Sequence, residues 1–523
     1  MTPDETCGVF GTLDGNLDRR KVHSFVVGVD STPRPMAAAE AKRELGDPFA
    51  TLLLLKGVFP RTAQGCLDEI DKATKRGNPL RRQMSFLLGE TSQLPRSARV
   101  QRSIRFVITR GADANGPARG PDILLSVSFP DQKDIELMAW DRKRGGFNYY
   151  RAVGPGPTWV FAGNARAALV DPSQGKGPFE SHRSGAFLMK ELKLPWINWH
   201  SPDAPISASA FPRNDPRIRH PWFRKKDPGG AYTFEFAVAR PAIDRWARAR
   251  FDDLVKGGTV DDPGRVLEQI LGTPSANVVT STIESDRARS PKVRIDLPAS
   301  FFLDTDSFAE LGIFGISDFL EVRAPVYRKT LEKFKVRLED GQGFERKGDT
   351  HFAFAVPERA FEDVAALREA IRVGLVTRRL AACLLMVDFP NPIFSERRAS
   401  LLRHAPSSAT VRKGKSTFSQ RMADAILEAA KGSAQDSPER EFAQRWKAGP
   451  RPAPTFERVL RRYTRSVARR LKTQGGFDDY WRLADRRRQE ARNNPVFAEF
   501  ELLFPKSDIP RPARHMRPDG TVA

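Results

Sequence analysis

Three of the seven histidines in the chain, His182, His200 and His220, fall within 39 residues. The same stretch holds Trp196, Trp199 and Trp222, and Trp140 and Trp159 come shortly before it. Imidazole titrates near neutrality and is the commonest metal ligand, and indole gives a flat, low-dielectric wall to a ring-shaped ligand. On this pattern His182 is the candidate ligand or proton-transfer group. Met189 and His200 are candidate further ligands, Lys190 and Glu191 flanking charges, and Trp196 and Trp199 the walls. The plainer alternative is a set of histidines that only satisfy hydrogen bonds inside a core. No HExxH, and no HxE with PCxxC, accompanies the cluster.

A second group of residues suits anions. From Leu401 to Ala523 there are 26 Lys+Arg against 14 Asp+Glu, within a chain whose formal net charge is +22. Clustered cations release counterions from phosphate backbones or pair with carboxylates, so a polyanion or an acidic protein is the expected partner, and nucleic acid stays among the candidates. Arg458, Arg461, Arg462, Arg465 and Arg469 are the candidate polyanion-binding residues, because they occupy the faces left over by an apolar stripe of Phe456, Val459, Leu460, Tyr463, Val467 and Leu471. A basic loop with Arg213, Arg217, Arg219, Arg224, Lys225 and Lys226 surrounds His220 and Trp222. The competing reading of both is an ordinary solvated face.

Other chemistry is thin. Asp304-Thr-Asp306 suits either a divalent cation or the capped start of a helix, with Asp306 or Ser307 as the cap. Gly154-Pro-Gly-Pro157 and Gly175-Lys-Gly177 lack the spacing of a phosphate loop, and no GxSxG elbow is present. Cys7, Cys66 and Cys383 are too few and too far apart for a disulfide framework or a CxxC clip, which fits a reducing compartment. No run approaches the roughly 18 apolar residues of a membrane span, and the N-terminus lacks a basic-then-apolar leader pattern. The expectation is a cytoplasmic protein without membrane insertion.

The elements that must position these residues read as α+β: an antiparallel β-meander domain, a mainly helical domain and a basic helical tail. Boundaries fall at 1–100 for a mixed segment, 101–240 for the meander with its Trp/His segment, 241–404 for the helical domain and 405–523 for the tail with flexible linkers. Period-two strands are expected at Ile104–Ile108, Ile123–Phe129, Ile135–Trp140, Phe147–Tyr150 and Thr158–Phe161, with the third and fourth joined as a hairpin. Ser24–Val29 and Tyr232–Val238 are two more candidate strands. Helices are expected at Pro35–Leu45, Ala63–Lys75 and Pro241–Leu254, near Asp318, twice between Pro357 and Val387, and at Phe418–Ala430. The Arg-rich helix is capped by Thr455 and ended by Gly475-Gly476, and a last helix opens at Asp478 or Asp479. The polar stretches Ala405–Lys415, Lys431–Pro438 and Lys447–Pro454 read as connectors.

The block from Gly175 to Ser201, GKGPFESHRSGAFLMKELKLPWINWHS, resembles a segment of an uncharacterised bacterial protein family. Trp140-Asp141 with Phe147-Asn-Tyr-Tyr150, and Leu385-Met-Val-Asp-Phe-Pro-Asn-Pro-Ile-Phe-Ser395, resemble further parts of it, so that the resemblance spans roughly residues 100 to 405. In some of those relatives the position of His182 is the histidine of a CxxCH haem attachment. Here Pro178 and Ser181 stand where the two cysteines would be, so the resemblance implies no covalent haem. It does imply haem held noncovalently, or a metal, as the cofactor to look for, with His182 and Met189 as competent axial ligands. Two readings follow: a haem- or metal-binding redox-type protein centred on His182, or a noncatalytic scaffold that engages a polyanion through its Arg-rich helices.

Overall fold

In the first half of the chain, side chains alternate between two covered faces of one sheet. A computed structural model describes residues 17–90, 104–112, 120–128, 135–153, 157–180, 182–186, the backbone of 197–199, and 206, 208–224, 233–285, 288, 290–315, 320–339, 345–350, 352–493, 505–510 and 515–523. These group into two compact units, the first ending at Arg250 and the second running from Phe251 to Ala523.

The first unit is built on nine strands: β1 (His23–Ser24), β2 (Arg34–Pro35), β3 (Gln83–Glu90), β4 (Ile104–Arg110), β5 (Ile123–Val127), β6 (Ile135–Asp141), β7 (Gly146–Val153), β8 (Thr158–Asn164) and β9 (Ile197–Trp199). Their order in the sheet is β2-β1-β8-β7-β6-β5-β4-β3-β9. Strands β3 to β8 form an antiparallel meander, and β1 joins β8 in parallel. The tight Asp141–Gly146 connection makes β6 and β7 a hairpin, with Asp141 Oδ1 accepting from the amides of Lys143 and Arg144 at 2.9 and 3.0 Å.

Because successive strand residues face opposite sides, Ile123, Leu125, Val127, Ile135, Leu137, Tyr150 and Ala152 enter one core. There they meet α1 (Ala38–Glu44), α2 (Pro48–Leu52) and α3 (Ala63–Ala73). Asp47 caps α2 by accepting from Ala50 N at 3.0 Å, and Thr62 caps α3 through Gly65 N at 3.0 Å. Met138, Trp140, Phe147 and Tyr149 are buried on the opposite face.

Several expectations are corrected. Of the candidate strand Ser24–Val29 only Ser24 lies in a strand, β1, with Phe25 N still donating to Phe161 O at 3.0 Å, after which Asp30 Oδ2 accepts from Val26 N at 2.7 Å and turns the chain away. Tyr232–Val238 is not a strand in its described part: Glu235–Ala239 is a π-helical turn running into α4 (Arg240–Leu254). Its alternating text misleads, since Phe234 and Val238, four apart, are buried while Phe236 is 47% exposed. β3 was not expected at all.

The second unit carries α5 (Gly264–Leu271), α6 (Thr305–Glu310), α7 (Ala324–Lys333), α8 (Phe361–Arg372), α9 (Arg378–Leu385), α10 (Phe418–Gly432), α11 (Pro438–Trp446), α12 (Ala453–Leu471) and α13 (Gln474–Asn493), with short two- and three-stranded ribbons between them. Helices α12 and α13 are not a tail hung on a linker: Phe456, Leu460, Tyr463, Val467, Phe477, Tyr480 and Trp481 share one core with Phe302, Tyr327, Phe354 and Leu384. Ser408–Arg412 and Lys415–Ser416, within a stretch read as connector, form a hairpin about Lys413-Gly414. Helix α12 starts at Ala453 rather than after Thr455, and Gly475-Gly476 lie in the first turn of α13 instead of ending α12. Gly476 is required there, because a Cβ would stand 2.2 Å from Arg470 O. Among the described residues no helix is long and apolar enough to cross a membrane.

Candidate functional site

His182 lies in the segment that covers the Tyr149 face of the sheet. Pro178 O accepts from His182 N at 3.1 Å, His182 O accepts from Gly185 N at 2.8 Å, and the ring meets Tyr149 at a centroid distance of 5.3 Å. Gly185, with φ +67°, allows the wrap: a Cβ there would stand 2.2 Å from Ala165 O. Tyr149 Oη donates to Gly185 O at 3.1 Å, and Trp246 Nε1 donates to Ser184 O at 2.8 Å. The segment is thus tied to β7 and to α4.

The His182 side chain is half-buried, and its Nδ1 stands 2.9 Å from Ala186 O. A carbonyl oxygen can only accept, so Nδ1 carries the proton. Burial pushes the imidazole down to about 4, leaving it neutral with the lone pair on Nε2. That tautomer is the one in which a backbone carbonyl orients a ligand histidine. Met189, Trp196 and His200 lie outside the described residues, as does the side chain of Trp199, whose backbone, in β9, pairs with Leu88 of β3.

The other described histidine of the cluster is elsewhere. His220 and Trp222 pack on Phe106, at 5.8 Å each, in the core of the opposite sheet face. The sheet therefore separates His182 from His220. In the basic loop Arg217 is engaged with Asp215 at 2.7 Å and lies over Phe211. Among the described residues no group of three or more His, Cys, Asp or Glu could hold a metal ion. Covalent haem does not fit, because Pro178 and Ser181 provide no thiol.

The candidate anion-binding residues sit on α12. Arg458, Arg461, Arg462, Arg465 and Arg469 are all exposed, as is Lys472 at the end of the helix. Arg458, Arg462, Arg465, Arg469 and Lys472 follow one another at spacings of four, three, four and three, which keeps them on one face over about 21 Å. Phe456, Leu460, Tyr463, Val467 and Leu471 line the opposite, buried face. Tyr463 Oη donates to Phe302 O at 2.8 Å, and Thr464 Oγ1 to Gly315 O at 3.2 Å, so the helix is pinned through its back. The sole acidic residue on α12, Glu457, sits on the flank, 3.5 Å from Arg461. Among the described residues no carboxylate pairs with the five aligned cations.

Sequence reasoning missed a second use of arginine. Three buried guanidiniums converge on the loop that follows α9: Arg359 donates to Pro392 O at 3.2 Å, Arg398 to Asn391 O and Pro392 O at 2.8 Å each, and Arg487 to Pro390 O at 3.1 Å. Within this loop Asp388 and Phe394 hold positive φ values of 52° and 54°. Burial pushes Arg398 and Arg487 down to about 10, so both remain charged at neutral pH. The sequence signal was the run Asp388-Phe-Pro-Asn-Pro-Ile-Phe-Ser395, whose prolines remove donors and leave carbonyls to be satisfied from outside.

Next to this loop is a small polar cleft lined by Ser300, Asp304, Thr305, Asp306, Glu358, Arg359 and Pro392. Asp304, offered as a cation ligand, is already used: one oxygen accepts from Ser307 N at 3.2 Å as the cap of α6, the other from Arg359 Nε at 2.6 Å. The capping reading holds with Asp304 in the role expected of Asp306 or Ser307. Cys383 is fully buried, its thiol pushed up to about 12, and has no nucleophilic character. Compared with known proteins, the chain matches no family model, no curated protein and no solved structure.

Proposed function

We propose that this chain is a binding protein that engages a polyanion, or the acidic face of a protein, through the cationic ridge of α12. One observation carries the reading: five aligned cations with no carboxylate partner among the described residues stand on a helix whose other face is locked into a core. Ordinary solvated helices intersperse charges of both signs and pair them three or four residues apart. Here the acidic partners are withheld from the outward face, which leaves a line of positive potential to attract and hold an extended anion.

The test is retention on heparin and binding to polyphosphate, measured against salt, for the chain and for the variant R458Q/R462Q/R465Q/R469Q. Each lost phosphate contact lowers the slope of log K against log salt by about 0.7 to 0.9. Equal retention of the two proteins overturns the proposal.

A second reading keeps His182 as a ligand, and the Nδ1 bond to Ala186 O that frees Nε2 favours it. The resemblance of the 175–201 block to a family with haem-bearing members points to the same residue. The check is a visible spectrum with metal analysis on protein expressed with iron and a haem precursor, repeated on H182A. A Soret band or stoichiometric metal lost in the variant supports it, and a clean spectrum without metal removes it.

A further inference from the structure

From Arg458 to Leu471 every exposed residue of α12 is an arginine: Arg458, Arg461, Arg462, Arg465 and Arg469. Both flanks of this arc are closed by bonds to other segments. At about 100° per residue, Ser466 lies about 80° to one side of the cation line and Glu457 about 100° to the other. Ser466 Oγ donates to Asp519 O at 2.5 Å, in a hairpin whose residues His515 and Ala523 exchange backbone hydrogen bonds. On the other side Glu457 Oε1 accepts from Phe314 N at 3.1 Å, and Gly315 O accepts from Thr464 Oγ1 at 3.2 Å. What stays open is a convex, straight line of cations, about 21 Å long.

We propose that the ligand of this ridge is double-stranded nucleic acid, held through its backbone phosphates without regard to sequence. This inference rests on the polyanion reading above and names the polyanion. A folded acidic protein needs an apolar centre to its interface, because exposed ion pairs contribute little by themselves, and the arc offers no apolar side chain. A single strand is held in a groove by successive aromatic platforms. Here the surface is convex, and the one exposed large apolar side chain among the described residues of the second unit, Phe314, belongs to the loop bonded to the Glu457 flank.

A flexible chain such as polyphosphate has to be straightened to follow the helix, at a cost in conformational entropy. A duplex is already straight over that distance, which spans roughly six base pairs at about 3.4 Å each. Its dense charge also releases more counterion for each phosphate neutralised than a single strand does. The closed flanks account for the indifference to sequence. A major groove about 12 Å wide admits a bare helix about 10 to 12 Å across, but not one with packed segments on both sides. The arginines therefore reach phosphates rather than base edges.

The experiment measures binding of the full chain, across a salt series, to duplex DNA and duplex RNA in two unrelated sequences of equal length, to the separated strands, to polyphosphate and to polyglutamate. A duplex should outcompete the other probes at equal anionic charge, and its two sequences should agree within about twofold. R458Q/R462Q/R465Q/R469Q should lower the salt slope on the duplex by about 3 to 4. R412Q/K415Q/K431Q/K447Q removes the same charge from exposed positions off the ridge and should change the slope by less than about 1. Binding to only one of DNA and RNA supports the proposal and says which duplex is meant. Equal loss in the two variants, tighter binding of any competitor, or discrimination between the sequences overturns it. Ridge-dependent binding of polyphosphate without a preference for duplex also overturns it, although the polyanion reading then stands. If the ridge variant changes binding to none of these probes, both fall.

Discussion

Arg359 Nε donates to Asp304 Oδ2 across 2.6 Å, with each side chain only 4% exposed. The pair joins the start of α6 to the end of the strand Val356–Arg359, and the rest of the guanidinium satisfies Ile270 O and Pro392 O. Removing the carboxylate alone leaves a buried positive charge uncompensated. D304A should lower stability by about 3 to 5 kcal/mol, read from urea denaturation. The double variant D304L/R359M should recover part of that loss, and failure to do so would show that the carbonyl contacts of Arg359 matter more than its charge.

Asp47 in the first unit serves three donors at once: Ala50 N at 3.0 Å, Asn148 Nδ2 at 2.8 Å and Tyr150 Oη. D47A removes a cap and strands two buried polar groups, for an expected loss of about 3 kcal/mol or more. Burial raises the carboxyl above its ordinary range; D47N can keep the cap through its single oxygen but turns an NH2 toward the Asn148 and Tyr150 donors, so it should lose less stability than D47A without being neutral. Thermal melts of the two variants distinguish shape from charge.

The depressed His182 imidazole makes stability depend on pH in a definite direction. Unfolded, it takes up a proton near pH 6.5; folded, it refuses one until about 4. Stability should therefore fall as pH drops from about 6.5 toward 4 and change no further from this group below that. Replacing His182 by Gln should flatten that part of the melting-temperature profile. A nitrogen-detected spectrum at about pH 6 should show the proton on Nδ1 alone; a doubly protonated ring would contradict the assignment.

Gly315 tests how closely its loop and α12 pack. G315A should be destabilising by about 1 to 3 kcal/mol through overpacking against Leu460. In an L460G background, where the opposing Cβ, Cγ and Cδ1 are all gone, the same change should cost much less. Additive costs would mean that the loop and helix do not press on each other.

What could be read from the sequence follows from how local each signal is. The meander was legible because β-branched and aromatic residues alternate over whole strands, and Gly145-Gly146 marks the turn between β6 and β7. The cationic ridge was legible in part, since one period of 3.6 places Arg458, Arg462, Arg465 and Arg469 together. β3 and the pair Asp304–Arg359 were not, because what defines them lies far away in the chain: Met84 pairs with Thr109, and the two ends of the ion pair are 55 residues apart. The clustering of His182 and His220 failed for the same reason. Sequence proximity cannot tell that a sheet passes between two loops.

Arginines in the second unit divide into two populations with opposite tolerances. On the ridge an ammonium group would serve nearly as well as a guanidinium, since attraction to an extended anion depends chiefly on charge. At Arg359, Arg398 and Arg487 it would not: one planar fork reaches two or three carbonyls at fixed angles, and a lysine there would leave some of them bare in a dry interior. A library that exchanges arginine for lysine throughout this unit would consequently sort itself, with outward positions accepting the change and these three rejecting it. The pattern of survivors would separate the cations that meet a partner from those that hold the molecule shut.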